Sequence, residues 1–293
     1  MSVSPAADLA RSDAREATRG SGVRLGIEVV GRVLSLATSF LVAVGLGVEG
    51  FGIFAALTGL AVILAESGEL GLQGTAARAL VAGTMGLKAM VRAKAVLFAA
   101  AVAVALGVPL LAQGLGPALL AWAPLALRGA IQASLGSAAL LAPLILYFAV
   151  AGWSEFLGVA LRARGHRLEE GAVLLCLRAA GLAAVALVLQ AGAGLRGVIW
   201  AHLASTLPPL ALGAWLAHRA YAAGPAGPDH PVREVLRTSW PLAVNGGLAL
   251  LSLRLELLLV FALRGPREAG LFGAALKFVE SLNAIPAAIT AGA

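Results

Sequence analysis

The sequence predicts an all-α, polytopic membrane protein, a bundle of about eight transmembrane helices. Hydrophobic residues make up 60% of the 293 residues and charged residues only 13%, whereas a soluble domain carries about 25% charged residues. The mean hydropathy is +0.91. The 36 glycines are typical of helices that pack closely in lipid, where small residues let backbones approach. This composition excludes a soluble domain.

Apolar segments of membrane-spanning length recur along the chain. A helix needs about 20 mostly apolar residues to cross the hydrocarbon core. The stretch 114–137 is interrupted by proline and polar residues (Pro117, Pro124, Arg128 and Gln132), so we interpret it as an interfacial or partly re-entrant connection. The predicted spans are 26–46, 51–72, 93–113, 138–160, 171–193, 197–217, 238–263 and 268–290.

Basic residues predict the orientation, because cytoplasmic loops carry an excess of lysine and arginine. The net charge is +7, but its clustering between apolar segments indicates membrane loops and not a nucleic-acid partner. An inside N-terminus leaves four basic residues in outer connections, Arg128, Arg196, Arg264 and Arg267. The predicted cytoplasmic segments hold Arg11, Arg15, Arg19, Arg24, Arg78, Lys88, Arg92, Lys94, Arg162, Arg164, Arg167, Arg219, Arg233 and Arg237.

An internal repeat predicts the organisation of the chain. Residues 52–57 (Gly-Ile-Phe-Ala-Ala-Leu) resemble residues 270–275 (Gly-Leu-Phe-Gly-Ala-Ala), 218 positions later. Six predicted spans separate the copies, so both start from the same side of the membrane, as in transporters built from parallel repeats. The predicted units are a cytoplasmic tail (1–25), a first six-helix lobe (26–217), a cytoplasmic linker (218–237) and the first two helices of an incomplete second lobe (238–293). The absence of a basic stop after the last span predicts a C-terminally truncated protein.

Four basic residues lie within predicted spans, Arg32, Arg178, Arg254 and Lys277. A charge at the bilayer centre costs about 2.5–3.5 kcal/mol and usually faces a cavity or a partner. Counted from a turn near Gly265, Arg254 and Lys277 lie at the same depth, roughly 17 Å from the turn. They form either a cationic cavity wall or an internally neutralised cluster, with Glu256 and Glu280 as candidate partners. Lys277 and Glu280 share a helix face at i,i+3 spacing.

The first predicted hairpin, centred near Val48, places Arg32 level with Glu66. Glu28 shares the face of Arg32 at i,i+4 spacing, so this group is either a structural latch or a substrate contact. Arg178 either faces a cavity or extends to the interface. His202 is either a packing residue that forms hydrogen bonds or a proton relay.

The sequence predicts no catalytic, metal or cofactor site, and we do not expect an enzyme. A single cysteine, Cys176, excludes an intramolecular disulfide and a multi-cysteine metal site. The four histidines are scattered, and neither an H-E-x-x-H motif nor a phosphate-binding loop occurs.

Several short motifs, and their order along the chain, resemble those of a known family. They are residues 46–54 (Leu-Gly-Val-Glu-Gly-Phe-Gly-Ile-Phe), 69–73 (Glu-Leu-Gly-Leu-Gln) leading to Arg78, 161–167 (Leu-Arg-Ala-Arg-Gly-His-Arg), 254–256 (Arg-Leu-Glu) and 269–272 (Ala-Gly-Leu-Phe). The chain resembles the polysaccharide-biosynthesis, O-antigen flippase-like branch of the multidrug/oligosaccharidyl-lipid/polysaccharide exporter superfamily. That family commonly has an aspartate where this chain has Glu256.

The resemblance implies a multi-pass flippase of the bacterial inner membrane that moves polyprenyl-pyrophosphate-linked glycans by alternating access. Arg32, Arg254, Lys277 and Arg178 would contact the anionic lipid-linked glycan. Glu66, Glu256 and Glu280 would pair with these cations or take up a coupling H⁺ or Na⁺. The chain departs from the family by lacking most of the second lobe. The alternatives are a cation-coupled multidrug antiporter of the same superfamily, a membrane enzyme of glycan assembly, and a non-transporting remnant.

Overall fold

The predicted all-α class is confirmed by a computed structural model, which describes residues 5–67, 69–122, 138–222 and 227–282. These residues form helices and short connections, with no strand among them. The helices are α1 (Pro5–Glu66), α2 (Glu69–Val81), α3 (Leu87–Trp122), α4 (Ala138–Ala163), α5 (Arg167–Gln190), α6 (Gly194–Ala204), α7 (Leu207–Ala222), α8 (Val232–Arg264) and α9 (Pro266–Leu282).

Five segments of the described chain are long and apolar enough to cross a membrane, so the protein is a membrane-embedded helical bundle. They are Gly26–Glu66, Leu87–Val108, Ala139–Ala163, Arg167–Gln190 and Val232–Arg264. The first contains 41 residues, about twice the length that a single crossing requires. It therefore accommodates the first two predicted spans.

Two glycine turns divide the helices at equivalent positions of the repeat. Gly47 (φ 69°, ψ 174°) separates a first limb of α1 (26–46) from a second limb (48–66), close to the predicted turn at Val48. Gly265, which lies 218 positions later, has nearly the same conformation (φ 88°, ψ −179°) between α8 and α9. Residues with a β-carbon rarely adopt positive φ, so glycine is the residue that suits both turns.

The two copies of the repeat pack directly against each other. A β-carbon on Gly52 would lie 1.8 Å from the carbonyl oxygen of Pro266, and one on Gly270 would lie 2.1 Å from that of Val48. The offset that relates Gly52 to Gly270 also relates Val48 to Pro266. Each copy thus offers the same backbone to the other, which is the form of a two-fold, self-complementary contact. This geometry supports the repeat inferred from sequence.

The limbs of α1 are antiparallel, because α9 runs beside both of them. Near its start α9 contacts the second limb at Gly52, and three residues farther along each helix Gly273 faces Ala55, so α9 and the second limb run in the same direction. Near its end, Phe278 lines a cavity together with Val33, which lies near the start of the first limb. The α8–α9 turn also forms a hairpin, because Arg254 of α8 reaches Glu280 of α9. The two limbs of α1 therefore form one packed unit with α8 and α9.

Several predicted boundaries are wrong. The span 51–72 ends at Glu66, and α2 is a separate short helix. The helix predicted for 93–113 begins at Leu87 and extends to Trp122, so part of the predicted connection 114–137 is helical. Pro124, Arg128 and Gln132 lie outside the described residues, as does the end of the span 268–290. The predicted tail is continuous with α1, which begins at Pro5.

The predicted span 197–217 is divided between α6 and α7. Pro208 and Pro209 follow the break and lack the N–H groups that would continue the helix. The hydroxyl of Ser205 donates to the carbonyl of His202 at 2.7 Å, and that of Thr206 donates to the carbonyl of Leu203 at 2.7 Å. These bonds satisfy carbonyls that an interrupted helix would otherwise leave without partners in an apolar environment.

The predicted linker 218–237 is shorter than expected, because α7 extends to Ala222 and α8 begins at Val232. Its described part is held against the turn between α2 and α3. The backbone N–H of Gly86 donates to the carbonyl of Pro228 at 2.7 Å. Arg92 also forms an ion pair with Asp229. These contacts fix the start of α8 relative to the preceding helices.

Candidate functional site

A cavity of about 410 Å³ lies between the first limb of α1, α2, α4 and α5, and we call it the arginine cavity. Its charged lining residues are Arg32, Arg162, Arg167 and Arg178, with Glu28, Glu155 and Glu170. Four cations against three carboxylates leave a formal charge of +1. The predicted cations Arg32 and Arg178 therefore meet in one cavity, although they are far apart in sequence.

Helical spacing on α5 explains how its two arginines reach the cavity. Gly165 (φ 86°) makes the turn that precedes this helix. Arg167, Gly171, Leu174 and Arg178 then recur at intervals of three to four residues and line the same side. Arg178 lies about 16 Å along the helix from Arg167. Of the two predicted placements of Arg178, the structure favours the cavity.

Close backbone packing brings α5 to the first limb of α1. A β-carbon on Gly171 would lie 2.5 Å from Cδ1 of Ile27, so only glycine permits this approach without a shift. Both residues line the arginine cavity. The contact sets the distance between the walls that carry Arg32 and Arg178.

The carboxylates of the arginine cavity are engaged by some of its cations. Arg32 lies 3.9 Å from Glu28, which confirms the predicted i,i+4 pair. Arg162 Nε lies 3.3 Å from Glu170 Oε1. Arg178 forms no hydrogen bond or ion pair with a residue that the structure describes. The side chain of Arg167 forms none either, so Arg167 and Arg178 are the cations of this cavity best placed to bind a ligand.

A second cationic group, which we call the α8–α9 cluster, contains Arg254, Lys277 and Glu280. Arg254 Nη1 donates to Glu280 Oε1 at 3.1 Å, and Lys277 Nζ donates to Glu280 Oε2 at 2.8 Å. One carboxylate thus serves two cations, and the cluster keeps a formal charge of +1. Arg254 Nε is buried without a hydrogen-bond partner among the described residues.

Glu256 does not join the α8–α9 cluster, although it was a candidate partner. Its side chain is exposed, and no ion pair links it to a residue of the described chain. Positions i and i+2 of a helix point to different sides, so Glu256 cannot share the face of Arg254. The interpretation of an internally neutralised cluster is therefore partly right, with Glu280 as the acceptor.

The four predicted cations do not form a single wall. Arg254 and Lys277 lie outside the arginine cavity, because α8 and α9 pack against α1 and not against α5. Lys277 instead lines a mostly apolar cavity of about 320 Å³ between the first limb of α1 and α9, beside Phe40 and Phe278. We call this the α1–α9 cavity.

Glu66 interacts electrostatically with one residue of each cationic group. It interacts electrostatically with Glu155, which lines the arginine cavity, and with Arg254 of the α8–α9 cluster. Glu69 and Lys94 also act on it. We predicted that Arg32 would be level with Glu66, but the cations that influence Glu66 are Arg254 and Lys94.

A buried ion pair that was not predicted from the sequence joins Glu69 of α2 to Lys94 of α3. Lys94 Nζ lies 2.5 Å from Glu69 Oε2, and the side chains are 0% and 2% exposed. A β-carbon on Gly152 would lie 2.2 Å from that oxygen, so a glycine on α4 makes room for the pair. The prediction of Lys94 as a cytoplasmic loop residue is wrong. Its position inside an apolar helix that begins at Leu87 could have revealed it.

His202 is a packing residue. Its Nδ1 lies 2.8 Å from the carbonyl oxygen of Val198. Its ring packs against those of Phe54 and Tyr147, with centroids 5.3 and 5.4 Å away. These contacts favour the packing interpretation over a proton relay.

Comparison with protein-family models, with curated proteins and with solved structures found no match to this chain. Within the described ranges, no group of three or more His, Cys, Asp or Glu side chains could hold a metal ion. The arginine cavity and the α8–α9 cluster therefore carry the functional interpretation.

Proposed function

We propose that the protein is a flippase that moves polyprenyl-pyrophosphate-linked oligosaccharide or polysaccharide precursors across the bacterial inner membrane by alternating access. The observation that supports it best is the arginine cavity. This cavity carries a formal charge of +1 and includes Arg178, which has no ion-pair partner in the described chain. Such residues within a membrane usually mark a substrate path.

The chemistry of arginine suits a pyrophosphate. A guanidinium presents a planar fork of donors that matches two phosphate oxygens, and these charge-assisted bonds are strong. The volume of about 410 Å³ falls within the usual range of small-molecule pockets, roughly 300–1,000 Å³. In this proposal Arg32 and Arg178 hold the pyrophosphate from opposite walls.

The α8–α9 cluster would receive the anion next. It carries the same formal charge as the arginine cavity, and Glu66 interacts electrostatically with Arg254 of the cluster and with Glu155 of the cavity. The α1–α9 cavity beside Lys277 is lined mainly by apolar side chains, including Val33, Phe40 and Phe278. It would hold an isoprenoid chain while Lys277 contacts the headgroup. Glu66 and Glu280 would take up the coupling H⁺ or Na⁺.

Removal of an arginine side chain from either of two walls of the arginine cavity should weaken binding of a polyprenyl pyrophosphate. We expect Arg32→Ala and Arg178→Ala each to raise the Kd for farnesyl pyrophosphate by about tenfold to a hundredfold, because a hydrogen bond to a charged group contributes roughly 1.5–3 kcal/mol. The measurement is equilibrium binding to the purified protein in phosphatidylcholine nanodiscs.

Arg196→Ala is the matched control, because Arg196 is exposed outside both cationic groups. Farnesol tests whether the anion matters, since it has the same isoprenoid chain without the charge. Equal affinity for farnesol and farnesyl pyrophosphate, or unchanged binding in both cavity variants, would contradict the proposal.

Changes in the α8–α9 cluster should act in opposite directions. Glu280→Gln removes the shared carboxylate and raises the formal charge of the cluster from +1 to +2, so farnesyl pyrophosphate should bind several-fold more tightly. Arg254→Ala and Lys277→Ala each lower the charge to zero, so each should weaken binding and abolish glycan export while leaving membrane insertion intact. Glu268→Gln, at an exposed position of α9, is the control. Weaker binding in Glu280→Gln would show that the cluster is only structural.

A cation-coupled multidrug antiporter is the second candidate, because three carboxylates lie close to one another. Glu66 interacts electrostatically with both Glu69 and Glu155. Three neighbouring carboxylates would favour an organic cation over an anion as the ligand. Binding of tetraphenylphosphonium that Glu66→Gln or Glu155→Gln abolishes, without binding of farnesyl pyrophosphate, would favour this candidate.

A further inference from the structure

A groove of about 520 Å³ lies on the outer side of the bundle, where α5 packs against α7. Its apolar floor is formed by Leu168 and Ala172 of α5 with Leu212 and Leu216 of α7, and its rim includes His166 and Arg167. We call it the α5–α7 groove. Only Arg167 is shared with the arginine cavity.

Close packing between the two helices leaves the groove open on the outer side. A β-carbon on Gly213 of α7 would lie 3.4 Å from Cγ1 of Val173 on α5, so α7 approaches through a small residue. Leu168 is 65% exposed at the mouth of the groove. Ala172 is exposed as well, so part of this apolar surface is uncovered by the described residues.

Of the two acids near the groove, Glu170 is paired with an arginine, whereas Glu169, which lines the groove, lies beside His166. Glu169 Oε2 lies 2.8 Å from His166 Nδ1, and Glu170 Oε1 lies 3.3 Å from Arg162 Nε. The side chain of Arg167 is exposed and forms no hydrogen bond or ion pair with the part of the chain that the structure describes. The described lining of the groove therefore holds one arginine, Arg167, and one carboxylate, Glu169.

Two more arginines beside the groove are held by aromatic rings. The guanidinium of Arg164 lies 4.4 Å from the ring centroid of Tyr221, and that of Arg219 lies 4.9 Å from the ring of Trp215. Trp215 is 54% exposed. Tryptophan and tyrosine with basic residues at a helix end are typical of the membrane–water interface, so this rim lies at headgroup level.

We infer that the α5–α7 groove binds an anionic phospholipid of the adjacent leaflet. The lipid phosphate accepts hydrogen bonds from Arg167, and one acyl chain lies along Leu168, Ala172, Leu212 and Leu216. Charge complementarity selects an anionic lipid, because Arg164, Arg167 and Arg219 outnumber Glu169 in and beside the groove. Basic pockets between membrane helices at the cytoplasmic side are recurrent sites for such headgroups. Among the described lining residues, Arg167 is the one that this site shares with the path proposed for the lipid-linked glycan.

Native mass spectrometry of the protein released from phosphatidylcholine nanodiscs containing phosphatidylglycerol tests the inference. The wild-type protein should retain one phosphatidylglycerol in preference to phosphatidylcholine. Arg167→Gln should lower that retention by about fivefold, since a basic side chain near the membrane surface contributes about 1 kcal/mol to the binding of anionic lipid. Arg233→Gln removes the same charge from an exposed position of α8 outside the groove and should leave retention unchanged.

A second pair of variants avoids the overlap of Arg167 with the arginine cavity. Ala172→Leu fills the floor of the α5–α7 groove without changing charge and should also lower retention. Ala179→Leu is the same substitution at another exposed position of α5 outside the groove and should not. Equal retention of the two lipids, equal loss in Arg233→Gln, unchanged retention in Ala172→Leu, or displacement of the lipid by glycerol phosphate alone would overturn the inference.

Discussion

Gly52→Ala and Gly270→Ala should each destabilise the protein by about 3 kcal/mol or more, because each places a methyl group where the other helix has backbone. The β-carbons would lie 1.8 Å and 2.1 Å from carbonyl oxygens of Pro266 and Val48. Backbone cannot move aside as the end of a flexible side chain can. The midpoint of thermal unfolding in detergent micelles measures the loss.

The controls lie on the same helices. Gly59→Ala meets neighbouring side chains at 3.9 Å or more, and Gly273→Ala meets them at 3.4 Å or more, which is ordinary contact. Both should be tolerated, since alanine favours a helix over glycine by roughly 0.5–1 kcal/mol. The double variant of Gly52 and Gly270 should lose less than the sum of the single losses, because both changes separate the same two helices. Full additivity would contradict a shared contact between the repeats.

Lys94→Met should cost about 3–5 kcal/mol, because it leaves the carboxylate of Glu69 buried without its cation. The two side chains are 0% and 2% exposed, so water cannot replace the partner. Glu69 Oε1 already lacks a hydrogen-bond partner among the described residues. Thermal unfolding in detergent micelles again measures the effect.

Two variants separate the ion pair from the packing of the lysine stem. Lys88→Met makes the same substitution at an exposed position of α3 and should change stability little. The double variant Lys94→Met and Glu69→Leu removes both charges and should recover most of the loss, because an apolar pair can replace a buried ion pair. No recovery would mean that Lys94 acts through packing and not through its charge.

Composition and spacing predicted the fold class and the two hairpins. The apolar length of residues 26–66 allowed two crossings. Turns were predicted near Val48 and Gly265, and the structure has them at Gly47 and Gly265. Pairings within one helix or one hairpin also followed from spacing. They are Glu28 with Arg32 and Lys277 with Glu280.

Contacts between distant helices could not be read from spacing. Arg32 and Arg178 share a cavity because α5 packs against the first limb of α1, where Gly171 lies against Ile27. Which helices become neighbours depends on such packing of small residues, which occur throughout this glycine-rich sequence.

The Glu69–Lys94 pair was missed for the same reason. The pair requires that the start of α2 lie beside α3. It also requires that Gly152 leave space for both side chains. The sequence offered only the hint that Lys94 lies inside an apolar helix. Neither the burial of Lys94 nor its partner on another helix was predicted.

Photo-crosslinking most directly tests the claim that the arginine cavity receives a lipid-linked pyrophosphate. The purified protein in phosphatidylcholine nanodiscs is irradiated with a photoreactive farnesyl pyrophosphate, and the labelled peptides are identified by mass spectrometry. We predict labelling within residues 27–35 and 167–178, competed by unlabelled farnesyl pyrophosphate but not by farnesol, and lost in the Arg32→Ala and Arg178→Ala double variant. Labelling confined to other segments, or competed equally by farnesol, would contradict the account.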